Sequence, residues 1–326
     1  MTLNDCIAKR CLMDGFFVGG SGYTADNGDY LSPGRITLNN CISEYNYRQG
    51  LSISRCQGLS VIGGSYSHTG RLGQDKGTSP MAGIDSESEG VARGNNNYGL
   101  LIDGVSMVNN RGAGLSFSLG SVKSVARGCY IANNGAGGIL CTQTSYGCTI
   151  EGSFLQNNGS ELRSEGCEIL NLGYQNTYRS NHLKPSTKAI LDLALIGART
   201  AGDGSVYDDN IIDNSANIAH AGFITINQAR LYTNNRHINL QSAIDGYAVN
   251  INAANCLVMG NEGINNHADN PYSFMRINQA LQVRDNRVKG YQTTNTSQIY
   301  IRPAALGGKV QAYGPNFDDD ADRKSV

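Results

Sequence analysis

Gly104-Val105-Ser106-Met107-Val108-Asn109-Asn110 recurs as Gly128-Cys129-Tyr130-Ile131-Ala132-Asn133-Asn134 and as Gly152-Ser153-Phe154-Leu155-Gln156-Asn157-Asn158, at intervals of 24 residues. Gly114 and Gly138 repeat the same interval of 24. Within each copy apolar and polar residues alternate, the period of a strand rather than a helix. Glycine and asparagine bracket the strands because they enter left-handed turns at low cost. A repeat this short cannot bury its own apolar face, so neighbouring repeats must stack into one body. The reading is all-β: a right-handed parallel β-helix solenoid of about 24 residues per coil, with coils roughly 4.8 Å apart.

The frame extends backward with insertions. Leu3-Asn4-Asp5-Cys6 answers Leu38-Asn39-Asn40-Cys41 after 35 residues, as Gly15 answers Gly50. Gly50 to Gly83 is 33 residues and Gly83 to Gly114 is 31, so the excess is looped out of the N-terminal coils. Forward, the style persists in Asp209-Asn210-Ile211-Ile212, Phe223-Ile224-Thr225-Ile226, Ala248-Val249-Asn250-Ile251 and Cys256-Leu257-Val258-Met259. Residues 1–317 are read as one β-helix domain with a change in coil regularity near 180–205, and 318–326 as an acidic, disordered tail. Met1 to Gly15 lacks a basic and then apolar leader and reads as part of a repeat. The chain is therefore expected to be a fragment, or exported without a cleaved signal.

Composition narrows the function. The 326 residues carry a formal charge of −1, which gives no footprint for nucleic acid or an anionic membrane, and no apolar run reaches spanning length. Only 16% of residues are charged, and glycine is high at 41, as suits polar β structure. The nine cysteines are odd in number and form no CxxC, so they are read as small buried residues, with neither zinc nor a disulfide framework. No phosphate loop, HExxH or nucleophile elbow is present, and no metal or cofactor is expected.

The chemistry is expected on Ile84-Asp85-Ser86-Glu87. With Ile84 and Ser86 turned to the core, Asp85 and Glu87 face solvent together, backbones roughly 6.5 Å apart. Aligning the core glycines puts Asp85 in one column with Phe17, Ser52, Ser116 and Leu140, and Glu87 with Ser54 and Ser118. A carboxylate pair supplies an acid together with a base or nucleophile. Insertions flank the strand on both sides, where a rigid scaffold carries its substrate contacts. The candidate contacts are Tyr47, Arg48, Gln49, Tyr66, His68, Arg71, Lys76 and Thr78. Tyrosine supplies a stacking surface in a chain without tryptophan. Arg48 can bind an acidic sugar or hold a carboxylate ionised.

Tyr47-Arg48-Gln49-Gly50-Leu51-Ser52-Ile53, followed by Gly77-Thr78-Ser79-Pro80-Met81-Ala82-Gly83-Ile84-Asp85-Ser86-Glu87, resembles the RQGISI and GTxPxAGIDIEP motifs of pectate-lyase-like β-helix proteins and phage tailspikes. The likeness covers mainly residues 35–120. It implies a polysaccharide depolymerase, often a homotrimer on a virion tail, acting outside the cell on bacterial capsule or lipopolysaccharide. The chain has Ser86 and Ser88 where the pattern has Ile and Pro, so the core-facing Ser86 hydroxyl needs a partner. Three readings stay open. The first is a glycoside hydrolase using Asp85 and Glu87. The second is a lyase in which Arg48, Arg71 or Lys76 neutralises a uronate and His68 or a tyrosine acts as base. The third is a glycan-binding fibre or adhesin that does not cut.

Overall fold

The structure, a computed structural model, describes residues 1–19, 36–71, 77–88, 96–159, 166–185, 188–192, 204–215, 223–240, 247–266, 273–291 and 299–301. The acidic tail lies outside the described residues. Short strands build three parallel sheets of eleven strands each, every coil contributing one strand to each sheet. This is the right-handed parallel β-helix that the repeats predict. Leu101–Asp103 pairs with Val125–Arg127 in the first sheet, and Ser106–Val108 with Tyr130–Ala132 in the second. Ala113–Phe117 pairs with Gly137–Cys141 in the third. The copies separated by 24 residues thus lie in register on adjacent coils.

The corner between the first and second sheets explains the sequence pattern. It opens on a left-handed residue in every described coil: Asp5, Asn40, Gly63, Gly104, Gly128, Gly152, Ser180, Asp209, Asn234, Gly260 and Asp285. Most are residue types that tolerate positive φ. In the C-terminal coils the next residue is a buried asparagine. The Asn210 amide donates to Asn235 Oδ1 at 2.9 Å and to the Tyr178 carbonyl at 3.0 Å. Asn181 donates to Asn210 Oδ1 through its backbone N–H and its side-chain amide. The ladder continues through Asn235 and Asn261 to Asn286. In the N-terminal coils the ladder runs instead at the second corner, through Asn110, Asn134 and Asn158, and ends on buried Glu168.

Inside the coil the middle residue of each three-residue strand of the first and second sheets points inward. Leu38, Val61, Ile102, Ala126 and Ile150 follow one another down the first sheet, and the column then becomes Tyr178, Tyr207 and Tyr232. Tyr178 and Tyr207 stack with ring centroids 5.0 Å apart, and His237, inward from the second sheet, packs against Tyr232 and Phe274. Cys129, Cys141 and Cys148 are buried free thiols, and burial pushes Cys129 and Cys148 up to about 11. On the outside of the first sheet Asp103, Arg127, Glu151, Arg179 and Asp208 share a column of alternating charge, with Arg127 2.7 Å from Asp103.

Two measurements check this account. Asn210→Ala deletes donors and acceptors on both sides of a buried rung and is expected to cost about 3 kcal/mol or more. The melting temperature should fall accordingly, whereas Asp103→Ala at the exposed charge column should move it little. Burial lowers His237 to about 4, against an ordinary value near 6.5. Its contribution to stability is therefore present above pH about 6.5 and is lost as pH falls toward 4. His237→Phe should flatten that acid loss in denaturant titrations run between pH 4 and 7.

Candidate active site

Leu51–Ser54, Ile84–Ser86 and Ala113–Phe117 are consecutive strands of the third sheet. Their register places Ser52 beside Asp85 and Asp85 beside Ser116, with Phe17 before and Leu140 after. The column expected from the glycine spacing is the column formed. Backbone bonds from Glu87 to Ile53 and from Ser118 to Ser86 carry the register one residue further, aligning Glu87 with Ser54 and Ser118. Ile84 lies in the core. Ser86 faces inward, and its hydroxyl meets Ser121 Oγ at 2.7 Å and accepts from the Asn97 amide at 3.0 Å. That satisfies the polar group that stands where the motif has isoleucine.

Asp85 is directed away from the core yet only 1% exposed, so it does not present an open carboxylate to solvent as the alternation suggested. Glu87 is the exposed member of the pair. Gln49 Nε2 donates to Asp85 Oδ2 at 2.7 Å, and Ser118 Oγ donates to Oδ1 at 3.1 Å. Ser118 also meets Ser116, Oγ to Oγ, at 2.6 Å. Burial first, and the neighbouring Glu87 second, push Asp85 up to about 7, against the opposing hydroxyl bonds. Asp85 therefore keeps its proton toward neutrality with Glu87 beside it.

Asp14 joins the site from the first coil without a motif of its own in the sequence. It accepts two bonds from Arg48, Nε to Oδ1 and Nη2 to Oδ2, each 2.8 Å. It also accepts from Ser52 Oγ at 2.7 Å. Asp14 raises Arg48 above its ordinary value, with smaller contributions from Glu87 and Asp85. One signal could have found it: matching Gly15 to Gly50 sets Asp14 level with Gln49, and Gly15 N–H does donate to the Gln49 carbonyl.

Other expected contacts are dispersed. Tyr66 is the middle residue of Ser65–Ser67, points into the core and packs edge-on against Phe16, so it cannot stack on a sugar. Gln49 is buried against Asp85 and Ser52, a support rather than an exposed contact. His68 occupies a left-handed corner, not an excursion from the coil, and stacks on Tyr45 with centroids 4.6 Å apart. Burial lowers His68 from its ordinary value. Arg71 donates to the Asn109 carbonyl at 2.8 Å. Tyr47 is half-buried and Thr78 exposed, joined by a backbone bond from Thr78 N–H to the Tyr47 carbonyl at 3.3 Å. Lys76 lies outside the described residues.

No family model matches this chain, and no curated protein matches it. Among solved structures, the crystal structure of alginate lyase from Paenibacillus sp. str. FPU-7 is similar, with a TM-score of 0.53 and 12% identity over 90% of this chain and 99% of that one. At that identity the likeness is one of fold.

The Asp85 environment has a stability signature. Its folded value near 7 lies above the ordinary 3.8, so the folded state holds a proton that the unfolded chain has released. Stability from this group is full below pH about 4 and is lost as pH rises through about 7. Asp85→Asn should remove that decline: its melting temperature relative to the parent should climb between pH 4 and 7 and level off above.

Proposed function

We propose that this β-helix binds and cleaves a polysaccharide by glycoside hydrolysis. The observation that carries the reading is the carboxyl pair on the outer face of a rigid sheet, a buried Asp85 held toward its protonated form by burial and by the neighbouring, exposed Glu87. Asp85 is enclosed and only Glu87 is open to a substrate, so the two carboxyl groups do not both face a glycosidic bond as a separate acid and base. The dyad therefore acts as one device. Glu87, the member open to substrate, delivers the proton held by the pair to the leaving oxygen as the bond to the anomeric carbon breaks, and then takes a proton from the water that adds there. Asp85 stands behind it and holds a proton near neutral pH on which Glu87 draws during turnover.

The fold likeness to an alginate lyase favours a second reading, β-elimination at a uronate. Elimination needs a cation for the substrate carboxylate. Arg48 is already bonded to Asp14 by two hydrogen bonds, which weighs toward hydrolysis. The motif resemblance further places the chain, as part of this proposal, in a homotrimeric tailspike-type depolymerase acting on bacterial capsule or lipopolysaccharide. Sedimentation giving a stable monomer at micromolar concentration would remove the trimer from the proposal.

Digestion of purified capsules and lipopolysaccharides tests the chemistry. New reducing ends without ultraviolet absorbance support hydrolysis, unsaturated ends support elimination, and binding without products supports an adhesin. Asp85→Asn and Glu87→Gln are each expected to lower the cleavage rate by about 10²–10⁴ while retaining fold and glycan binding. Parent activity should decline above pH about 7, as the dyad loses its proton. Near-full activity in Glu87→Gln would sink the dyad mechanism.

A further inference from the structure

Ser52 carries the observation. Its Oγ lies 2.7 Å from Asp14 Oδ2 and also within hydrogen-bond distance of Gln49 Oε1. A serine hydroxyl has one proton and cannot donate to both acceptors at once. Gln49 in turn touches Asp85 with the other end of its amide. An amide presents a donor at one end and an acceptor at the other, and turning it over exchanges them without moving its neighbours.

Two self-consistent arrangements follow. With Asp85 ionised, Gln49 Nε2 donates to Asp85, Ser52 donates to Gln49 Oε1, and Asp14 is held by Arg48 alone. With Asp85 protonated, its hydroxyl donates to Gln49 Oε1, Gln49 Nε2 donates to Ser52, and Ser52 donates to Asp14. Each arrangement pairs every proton with an acceptor, and a mixture of the two leaves donor facing donor or acceptor facing acceptor. We propose that Asp14 is a positioning residue: through Ser52 and the reversible Gln49 amide it selects which carboxyl form of Asp85 the site holds.

Asp14 favours the protonated arrangement because its carboxylate, the stronger acceptor, draws the Ser52 proton away from Gln49. The charged groups facing Asp85 among the described residues are Glu87 on its own strand and the Asp14–Arg48 pair from the two preceding coils. From the following coil the hydroxyls of Ser116 and Ser118 act on it. The relay belongs to the resting site, and its bearing on cleavage rests on the dyad mechanism proposed above.

The test follows the Asp85 side-chain carboxyl by ¹³C NMR in aspartate-labelled protein between pH 4 and 9, with Asp85→Asn assigning the resonance. Asp14→Asn and Ser52→Ala should each lower the Asp85 midpoint by about one pH unit. Ser52→Thr, which keeps the hydroxyl, should stay near the parent. Ser52→Ala changes no charge, so it separates the relay from the field of Asp14. If Ser52→Ala leaves the midpoint unmoved, the relay is overturned, even where Asp14→Asn shifts it. Should Asp14→Asn fail to fold, the two Ser52 variants still decide. The midpoint is read without substrate: a relay that holds in a protein cleaving no glycan would sink hydrolysis alone. Where cleavage occurs, the alkaline limb of kcat/KM should shift with the same variants.

Discussion

Parallel coils make every outward or inward side chain stand over its counterpart in the neighbouring coil, about 4.8 Å away. The rest of the structure answers to that constraint. Buried asparagines tolerate it because each amide donates to the next and accepts from the one before. Charged residues tolerate it only by alternating in sign, as Asp103, Arg127, Glu151 and Arg179 do on the first sheet. Aromatic rings tolerate it by stacking, as Tyr178 and Tyr207 do. At the candidate site serine stands on either side of Asp85 in its column. The small neighbours leave room for the Asp85 carboxyl, and Ser118, itself bonded to Ser116, supplies a hydroxyl to it.

Much of this was legible because the period is in the sequence. The glycine spacing placed Phe17, Ser52, Asp85, Ser116 and Leu140 in one column, and the pairing agrees residue by residue. What the alternation could not supply was coverage. It fixes the side of the sheet on which Asp85 lies, but burial depends on packing from other parts of the chain, and Asp85 is outward yet enclosed. Tyr66 was misread because its polar neighbours suggested a loop, whereas Ser65–Ser67 is a strand with its middle residue inward. Asp14 belongs to the first coil and Asp85 to the third, so only the coil-to-coil alignment of Gly15 with Gly50 links them.

The scaffold itself is chemically neutral. A fold shared with an alginate lyase says how strands are stacked, while the reaction depends on a few outward side chains. Here those side chains form a continuous hydrogen-bonded chain over four coils, from Arg48 and Asp14 through Ser52, Gln49 and Asp85 to Ser118 and Ser116. Each rung sets the donor or acceptor character of the next.

The asparagine ladder changes corner along the solenoid. It ends at the second corner with Asn158 on Glu168, and the first-corner ladder begins where Asn181 reaches Ser153 and Ile150. The chain is thus clamped along two different seams, which meet at the coil near 149–158. In a body where each coil touches only its neighbours, such a junction separates two cooperative blocks. The carboxylate cluster lies wholly in the N-terminal block. Fraying that begins in the C-terminal coils can therefore run up to this seam and stop, leaving the cluster assembled on a partly unwound chain.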